Sequence, residues 1–223
     1  MIEELSVARL LNLLQLASPS LPVGAYSYSQ GLEAAIDARI VTDEVTALSW
    51  IGDCLELAMA RLEAPVLLRL YDAWAAGDAT RIDAWSSYFV ASRDTAELRA
   101  ETLQMGASLA KLLRELRPAT ALATTIFVRG AEIPLPCAYA AAVVGFGIPR
   151  DAALAAYLFS WVENQVLAAV KAVPLGQVAG QRMLLALAPV IERAAQAAAA
   201  AADDDLANWT PALSILSMRH ETQ

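Results

Sequence analysis

The sequence predicts an all-α protein, a single-domain helical bundle of about nine or ten helices, and three observations support this prediction. Apolar residues recur at helical spacing in several segments. Alanine, the strongest helix former, supplies much of the 57% hydrophobic content. No two segments have the alternating pattern and turn signal of a β-hairpin, and no βαβ unit is visible. A chain of 223 residues is long enough to bury its core without a disulfide or a metal ion.

The N-terminal residues are predicted to form two short helices separated by a turn. Residues 5–17 have apolar side chains at helical spacing. The two prolines and the glycine of residues 18–24 cannot continue this helix. Ser27 and Gln30 have the spacing of a capping box, so a second helix is expected to begin near Ser27.

Further helices are expected over residues 44–60, 65–76 and 79–90. Thr42 or Asp43 is suited to cap the first of them, because a short polar side chain accepts a hydrogen bond from a free amide of the first turn. Pro65 is expected to end that helix or to open the next one. Gly77 and Asp78 form a turn signal before the third.

The stretch 93–117 is the best amphipathic segment of the chain. Its apolar face contains Leu98, Met105, Leu109, Leu112 and Leu116. Arg93 and Glu97 stand four residues apart on the other side, which is a favourable spacing for a structural pair. Pro118 is expected to end this helix. Residues 119–128 contain several β-branched side chains, but a single strand would have no partner, so helix or loop is predicted there.

The C-terminal half is predicted to contain a buried helix over 134–145 and a long helix over 151–172. Pro174 suits the first turn of another helix, which Pro189 is expected to kink or restart. The acidic run 203–205 is expected to begin a solvated link. The predicted division of the chain is thus a helical domain over residues 1–205 and a C-terminal tail over 206–223.

The composition excludes several classes of function. The net charge of −8 and the absence of a basic stripe argue against a nucleic-acid-binding surface. No run of about 20 apolar residues is free of charge and proline, so no membrane span is predicted. The N-terminus has acidic residues where a signal peptide carries positive charge. Cys54 and Cys137 lie far apart in apolar stretches and are expected to be core residues, as in a cytoplasmic protein.

The chain lacks the residue types that most enzyme and metal sites require. Its one histidine, His220, lies near the end, which is a poor position for a rigid catalytic triad. Neither a Gly-x-Ser-x-Gly motif nor a phosphate-binding loop is present. One histidine and two separated cysteines supply at most a fragment of a zinc, nickel or copper site. We therefore expect no catalytic residue, no metal site and no cofactor, and a protein that works by binding other proteins.

Polar, aromatic and glycine residues are most densely packed in the stretch from Leu21 to Glu33. Tyr26 and Tyr28 lie beside serines and glycines there. Tyrosine offers a rigid apolar face and a hydroxyl group, which suits a contact surface. The same pattern also fits a well-packed turn with its tyrosines in the core, and residue types alone do not separate the two interpretations.

The stretch from Leu21 to Glu33 is also the first of four blocks that resemble the urease accessory protein F (UreF) family. The second block is Ser-Arg-Asp-Thr-Ala-Glu-Leu-Arg over 92–99, closely followed by Gln-Met-Gly-Ala-Ser-Leu over 104–109. The third is Tyr-Leu-Phe-Ser-Trp-Val-Glu-Asn over 157–164, leading to Lys-Ala-Val-Pro-Leu-Gly-Gln over 171–177 and Gly-Gln-Arg over 180–182. The last is Ser-Met-Arg-His-Glu-Thr-Gln over 217–223.

This resemblance implies a cytoplasmic, non-catalytic accessory protein that forms a homodimer. The family binds a UreD-type scaffold, also called UreH, and recruits the UreG GTPase, so that nickel is inserted into apo-urease. By this analogy residues 151–172 contribute to the dimer interface, the C-terminal region contacts the UreD-type partner, and the cleft between protomers receives the GTPase. No nucleic acid and no membrane partner is implied. Family members usually continue beyond the block with His220, so the tail is expected to be truncated here.

The resemblance and the residue types together give three sets of candidate site residues. Those expected to bind partners are Tyr26, Ser27, Tyr28, Glu33, Lys171, Gln177, Gln181, Arg219, His220 and Glu221. Those expected to shape loops are Pro22, Gly24, Gly31, Pro174 and Gly176. Those expected at the dimer interface are Tyr157, Phe159 and Trp161. Gly24 and Gly31 are expected to have a positive φ or to lie close to another backbone.

A second hypothesis is that the chain activates the GTPase, which requires an arginine placed to neutralise charge on the transferring phosphoryl group. Arg93, Arg182 and Arg219 are the candidates. A third hypothesis is a helical hydrolase with a hidden site. Measurement of GTP turnover by the partner GTPase tests the activator hypothesis. A broad substrate screen tests the hydrolase hypothesis.

Overall fold

The structure is a computed structural model, and it describes residues 5–24, 31–116 and 132–207. All regular secondary structure in these ranges is helical, which confirms the predicted all-α class. In chain order the elements are α1 (Val7–Ala17), α2 (Leu32–Asp37), α3 (Glu44–Cys54), a π-helical segment (Leu55–Glu63), α4 (Ala64–Ala76), α5 (Ala79–Ala91), α6 (Ala96–Leu116), α7 (Leu135–Gly145), α8 (Arg150–Ala172), α9 (Gln177–Ala200) and a 3-10 turn (Asp203–Asp205). The run from α3 through the π-helical segment to α4 is continuous, and counted as one helix it gives eight helices in the described ranges.

The described residues divide into two compact units. Unit 1 contains residues 5–24, 66–116 and 132–156, and unit 2 contains residues 31–65 and 157–207. One boundary falls near the start of α4 and the other within α8, so both helices contribute residues to both units. The predicted single domain over 1–205 stays a prediction.

In unit 1, α6 packs against α7. Every residue of α7 from 136 to 143 is buried, which confirms the predicted buried helix. A side chain at Gly106 of α6 would collide with the backbone of residues 133–135. The Leu135 amide donates a hydrogen bond to Thr102 Oγ1 at 3.2 Å. Gly106 therefore allows α6 and the backbone that leads into α7 to approach closely.

Short polar side chains set where several helices begin. Ser6, Asp43 and Asp78 each accept a hydrogen bond from the amide three residues later, at the starts of α1, α3 and α5. Such a cap satisfies one of the amides that a first helical turn leaves without a partner. Asp43 is therefore the cap of α3, which is one of the two residues predicted for that role. In turn, Thr46 Oγ1 accepts a hydrogen bond from the Asp43 amide, which completes a capping box.

α6 differs from its prediction in two respects. It begins one residue after Thr95, not at residue 93, because Thr95 Oγ1 accepts a hydrogen bond from the amide three residues later at 3.1 Å. Arg93 and Glu97 therefore do not lie on one helix, and the spacing argument for that pair is wrong. At the other end of the helix Leu113 is buried, whereas Leu116, predicted on the apolar face, is 52% exposed.

In unit 2, α9 runs alongside α3 and the π-helical segment. Arg182 of α9 donates two hydrogen bonds to the Glu44 carboxylate, at 3.0 and 2.6 Å, and these lower the pKa of Glu44. Arg193 pairs with Glu56 at 2.8 Å. Because the two arginines and their two glutamates follow the chain in the same order, α9 is parallel to the run from α3 into the π-helical segment.

Prolines occupy three positions where helices were expected to start or stop. Pro65 is the second residue of α4, which agrees with one of its two predicted positions. α9 begins after Gly176, its N-cap, so Pro174 lies in the preceding turn and not in the first helical turn. α9 also continues through Pro189 without a restart. The carbonyl that loses its amide donor there belongs to Leu185, which is 77% exposed, so water can satisfy it.

Two described helices, α8 and α9, are long and apolar enough to cross a membrane by length and composition alone. The buried share of the relevant stretch is 44% in α8 and 28% in α9. The prediction of no membrane span considered residues 183–202 and 138–149, and α8 meets these criteria as well. A buried core helix satisfies the same test, and α9 carries two arginines paired with carboxylates of unit 2.

Candidate partner-binding surface

The turn between α8 and α9 carries several of the candidate site residues. The Val173 amide donates a hydrogen bond to the Ala169 carbonyl at 2.9 Å, and the Leu175 amide donates to the Val173 carbonyl at 2.6 Å. Val173 is buried, whereas Pro174 and Gly176 are exposed. Gly176 has a φ of −77°, and a side chain there would meet no atom within 4 Å, so neither backbone strain nor space requires glycine.

Close packing of α8 against α9 holds this turn in place. Gly180 of α9 faces two valines of α8. A Cβ atom at Gly180 would lie 3.0 Å from a methyl group of Val170 and 3.4 Å from one of Val166. The absence of a side chain at Gly180 therefore lets the two helices lie close together next to the turn.

Exposed polar side chains surround the turn. Lys171 lies in the last turn of α8, and Gln177 and Gln181 lie one turn apart at the start of α9. All three are exposed, and Val178 between them is 67% exposed. We call these four residues the turn surface. A cation, two amides and an apolar side chain on a fixed turn offer hydrogen bonds and apolar contact to another protein.

The three residues predicted for the dimer interface have different surroundings. Tyr157 is 6% exposed, and its hydroxyl group donates a 2.5 Å hydrogen bond to Glu63 Oε1. Trp161 is half-buried, and Phe159 is 40% exposed. Glu163, one helical turn beyond Phe159, is also half-buried, and desolvation raises its pKa. Tyr157 thus belongs to the interior of unit 2, and of the three it is Phe159 that offers an exposed aromatic face.

Glu63 is a structurally important residue that sequence reasoning missed. It lies at the end of the π-helical segment, it is 7% exposed, and it accepts the Tyr157 hydrogen bond. A buried carboxylate requires such donors. A single acidic residue in the apolar run 62–68 was the available signal. The sequence does not show that a tyrosine on α8 would face it.

The two glycines that flank the tyrosine-containing stretch have a left-handed backbone conformation. The φ angle is +80° at Gly24 and +86° at Gly31, which agrees with the backbone role predicted for them. Gly31 is the N-cap of α2, and Glu33 is exposed in the first turn of that helix. Pro22 is exposed as well. The remaining candidates of this stretch lie outside the described residues, together with the predicted helix start: Tyr26, Ser27 and Tyr28.

The residues that follow α9 contact the π-helical segment of unit 2. The acidic residues Asp203–Asp205 are exposed in their 3-10 turn, in agreement with the predicted solvated link. Leu206 is only 9% exposed, and the Ala207 amide donates a hydrogen bond to the Arg61 carbonyl at 3.3 Å. The C-terminal candidates lie outside the described residues: Arg219, His220 and Glu221.

The described arginines that were considered for GTPase activation have partners within the chain. The Arg93 guanidinium lies 4.0 Å from the centroid of the Phe89 ring. Arg182 is paired with Glu44 through two hydrogen bonds. Each arrangement holds a guanidinium in place through a contact within the chain. Arg219 lies outside the described residues.

The part of the chain that the structure describes holds no group of three or more His, Cys, Asp or Glu side chains suited to a metal ion. Cys54 and Cys137 are buried, as predicted, and neither forms a disulfide bond. Burial raises the pKa of Cys54 to about 12, so this thiol stays protonated at neutral pH. Both cysteines therefore act as small core residues.

Comparison with known proteins shows which family this chain resembles. The UreF family model matches residues 41–188. Urease accessory protein UreF of Janthinobacterium sp. (strain Marseille) is 56% identical over 214 residues, which cover 96% of this chain and 95% of that protein. Urease accessory protein UreF of Nitrosospira multiformis is 50% identical over 214 residues, with 96% and 94% covered. The bifunctional urease accessory protein UreEF of Bordetella bronchiseptica is 47% identical over 226 residues, which cover 100% of this chain and 52% of that protein.

These names describe accessory proteins and not enzymes, which agrees with the expected absence of catalytic activity. The family match extends from before α3 into α9, so it includes the turn surface. It also includes the second block and the whole third block of the resemblance, and the relatives align along nearly the entire chain. This chain belongs to the UreF family.

Proposed function

We propose that this chain is a non-catalytic urease accessory protein. In this role it is a chaperone that bridges a UreD-type (UreH) scaffold and the UreG GTPase while nickel is inserted into apo-urease. Family membership is the observation that carries the proposal, because relatives 56% and 50% identical along nearly their whole length are named urease accessory proteins. Nickel is the cargo of this assembly and not a cofactor of the chain. The chain acts in the cytoplasm as a homodimer.

The turn surface is the geometric feature that best supports a binding role. Its residues are exposed, while Val173 and Gly180 hold the turn against the rest of unit 2. A surface that is already ordered loses little conformational entropy when a partner binds, so more of the contact energy appears as affinity. Lys171 adds a cation to a chain with a net charge of −8, which suits a partner with an acidic or carbonyl-rich patch at that point.

Co-purification tests the proposal. The chain should capture a UreD-type protein and, through that complex, a UreG-type protein. Substituting Lys171, Gln177 and Gln181 together by alanine should weaken capture of one of the two by about tenfold or more, as expected for the loss of well-placed contacts. Lys111→Ala is the matched control, because Lys111 is an exposed lysine on α6 of unit 1 and belongs to no candidate set.

Two outcomes would contradict the proposal at different levels. A folded chain that captures neither protein and does not raise urease activation would end the scaffold hypothesis. A triple variant that captures both proteins as well as Lys111→Ala does would remove the turn surface from the site. Tyr26→Ala combined with Tyr28→Ala tests the other candidate stretch in the same assay, and unchanged urease activation would remove those two tyrosines.

A further inference from the structure

A proline lies inside the continuous helical run of unit 2. Pro65 is the second residue of α4, which directly follows the π-helical segment. Proline has no amide hydrogen, and its ring crowds the carbonyl four residues earlier, which here belongs to Arg61. The helix is widened just before this point, since the Ala64 amide bonds to the Met59 carbonyl five residues earlier. This π geometry accommodates the ring of Pro65 without breaking the helix.

The Arg61 carbonyl has a partner from outside the helix. The Ala207 amide donates a hydrogen bond to it at 3.3 Å. Leu206, the preceding residue, is 9% exposed, so an apolar contact and a hydrogen bond anchor adjacent residues. In a regular α-helix the Arg61 carbonyl would accept a hydrogen bond from the amide of residue 65. Proline is the only residue type that cannot donate this hydrogen bond, because it has no amide hydrogen.

We infer that Pro65 is a positioning residue for the C-terminal tail. Because it lacks an amide hydrogen, it leaves the Arg61 carbonyl open to Ala207 and so anchors Leu206 and Ala207, the first two residues of the predicted tail. The effect on partner binding rests on the proposed function, in which the tail contacts the UreD-type scaffold. A tail that starts from a fixed point has fewer conformations to lose on binding, so Pro65 raises affinity without touching the partner.

Hydrogen exchange of the full-length chain tests the anchoring directly. Pro65→Ala restores an amide donor at position 65, and we expect the Ala207 amide to exchange with solvent about tenfold faster or more, as for the loss of a local protecting hydrogen bond. Capture of the UreD-type protein should weaken in the same variant. Helical content, measured by circular dichroism, should not fall, because alanine favours a helix more than proline does.

Pro189→Ala is the matched control for the exchange measurement. It makes the same change at an exposed proline inside α9, so exchange at Ala207 should equal that of the parent chain. Pro65→Gly restores the same amide without a side chain and decides the question if Pro65→Ala does not fold.

Unchanged exchange at Ala207 in the folded Pro65 variant would overturn the inference. Faster exchange with unchanged capture would uphold the anchoring and overturn its role in partner binding. If the parent chain captures no UreD-type protein, the proposed function fails, while the exchange comparison still decides whether Pro65 anchors the segment.

Discussion

Gly106 lies where α6 meets the backbone that leads into α7. A Cβ atom there would collide with the Ile133 carbonyl oxygen and lie 2.7 Å from the Pro134 carbonyl carbon and 2.8 Å from the Leu135 nitrogen. These are backbone atoms, so a side-chain rotation cannot remove the collision. We expect Gly106→Ala to lower the free energy of unfolding by about 3 kcal/mol, measured by equilibrium urea denaturation.

Gly52→Ala is the matched control for this change. Gly52 lies inside α3, and a Cβ atom there would meet its nearest neighbour, Leu187 Cδ2, at 3.9 Å. Alanine is the better helix former, so this variant should be as stable as the parent chain or up to about 1 kcal/mol more stable. Equal stability of the two alanine variants would contradict the close approach at Gly106.

Tyr157 provides a second test at the residue scale. Tyr157→Phe removes the hydroxyl group that donates to the buried Glu63 carboxylate and leaves the ring in place. A buried acceptor that loses a donor destabilises the fold by about 1–3 kcal/mol, so thermal and urea denaturation should both show a loss. The oligomeric state should not change, because Tyr157 lies in the interior of unit 2. A variant as stable as the parent chain would contradict the buried hydrogen bond.

At the scale of a helix, the Asp43 cap makes α3 sensitive to acid. The Thr46 amide donates to the Asp43 carboxylate at 2.9 Å and the Thr46 hydroxyl group at 2.8 Å, and these hydrogen bonds lower the pKa of Asp43. A carboxyl group with a lowered pKa stabilises the fold above its unfolded pKa of about 4, and that contribution is lost as the pH falls through the lowered value.

Asp43→Asn tests this pH dependence. Asparagine is also a good N-cap, but it does not ionise. Between pH 7 and pH 2 the parent chain should therefore lose more unfolding free energy than the variant does, by the contribution of this one cap. Parallel curves of stability against pH, measured by urea denaturation, would contradict the role of the ionised carboxylate.

Helix starts were more predictable than the behaviour of prolines, and the reason is physical. A cap such as Asp43 acts on an amide three residues away, so the signal and its effect lie together in the sequence. The effect of a proline depends on what satisfies the carbonyl four residues earlier. For Pro65 a backbone amide more than a hundred residues later does so, and for Pro189 the residue four positions earlier, Leu185, is exposed. Neither is visible in a local pattern.

At the scale of the whole molecule, the sequence identified the family but not which side chains of the candidate segments are exposed. Tyr157 and Phe159 stand two residues apart in one block, yet one is buried against Glu63 and the other is 40% exposed. Helical periodicity separates the two faces of α8 but does not show which face meets the rest of unit 2. Which face is buried depends on a contact with Glu63, which lies 94 positions away in the sequence.

The difference in exposure between Tyr157 and Phe159 allows a test of the expected homodimer. Phe159→Asp places a charge on the exposed face of α8 without disturbing a buried residue. If that face forms the dimer interface, the variant should weaken dimerisation by about thirtyfold or more, as for the loss of about 2 kcal/mol at an aromatic contact. Sedimentation equilibrium measures the dissociation constant, and circular dichroism should show an unchanged helical content.

Tyr88→Asp is the control that gives this test its meaning. Tyr88 lies on α5 and is 39% exposed, so it matches Phe159 in aromatic character and in exposure. Both variants add one negative charge to a chain whose net charge is already −8, so a general repulsion between protomers would weaken both dimers equally. Loss of the dimer in Phe159→Asp alone would place the interface on α8. Equal dimerisation of both variants and the parent chain would exclude this face of α8.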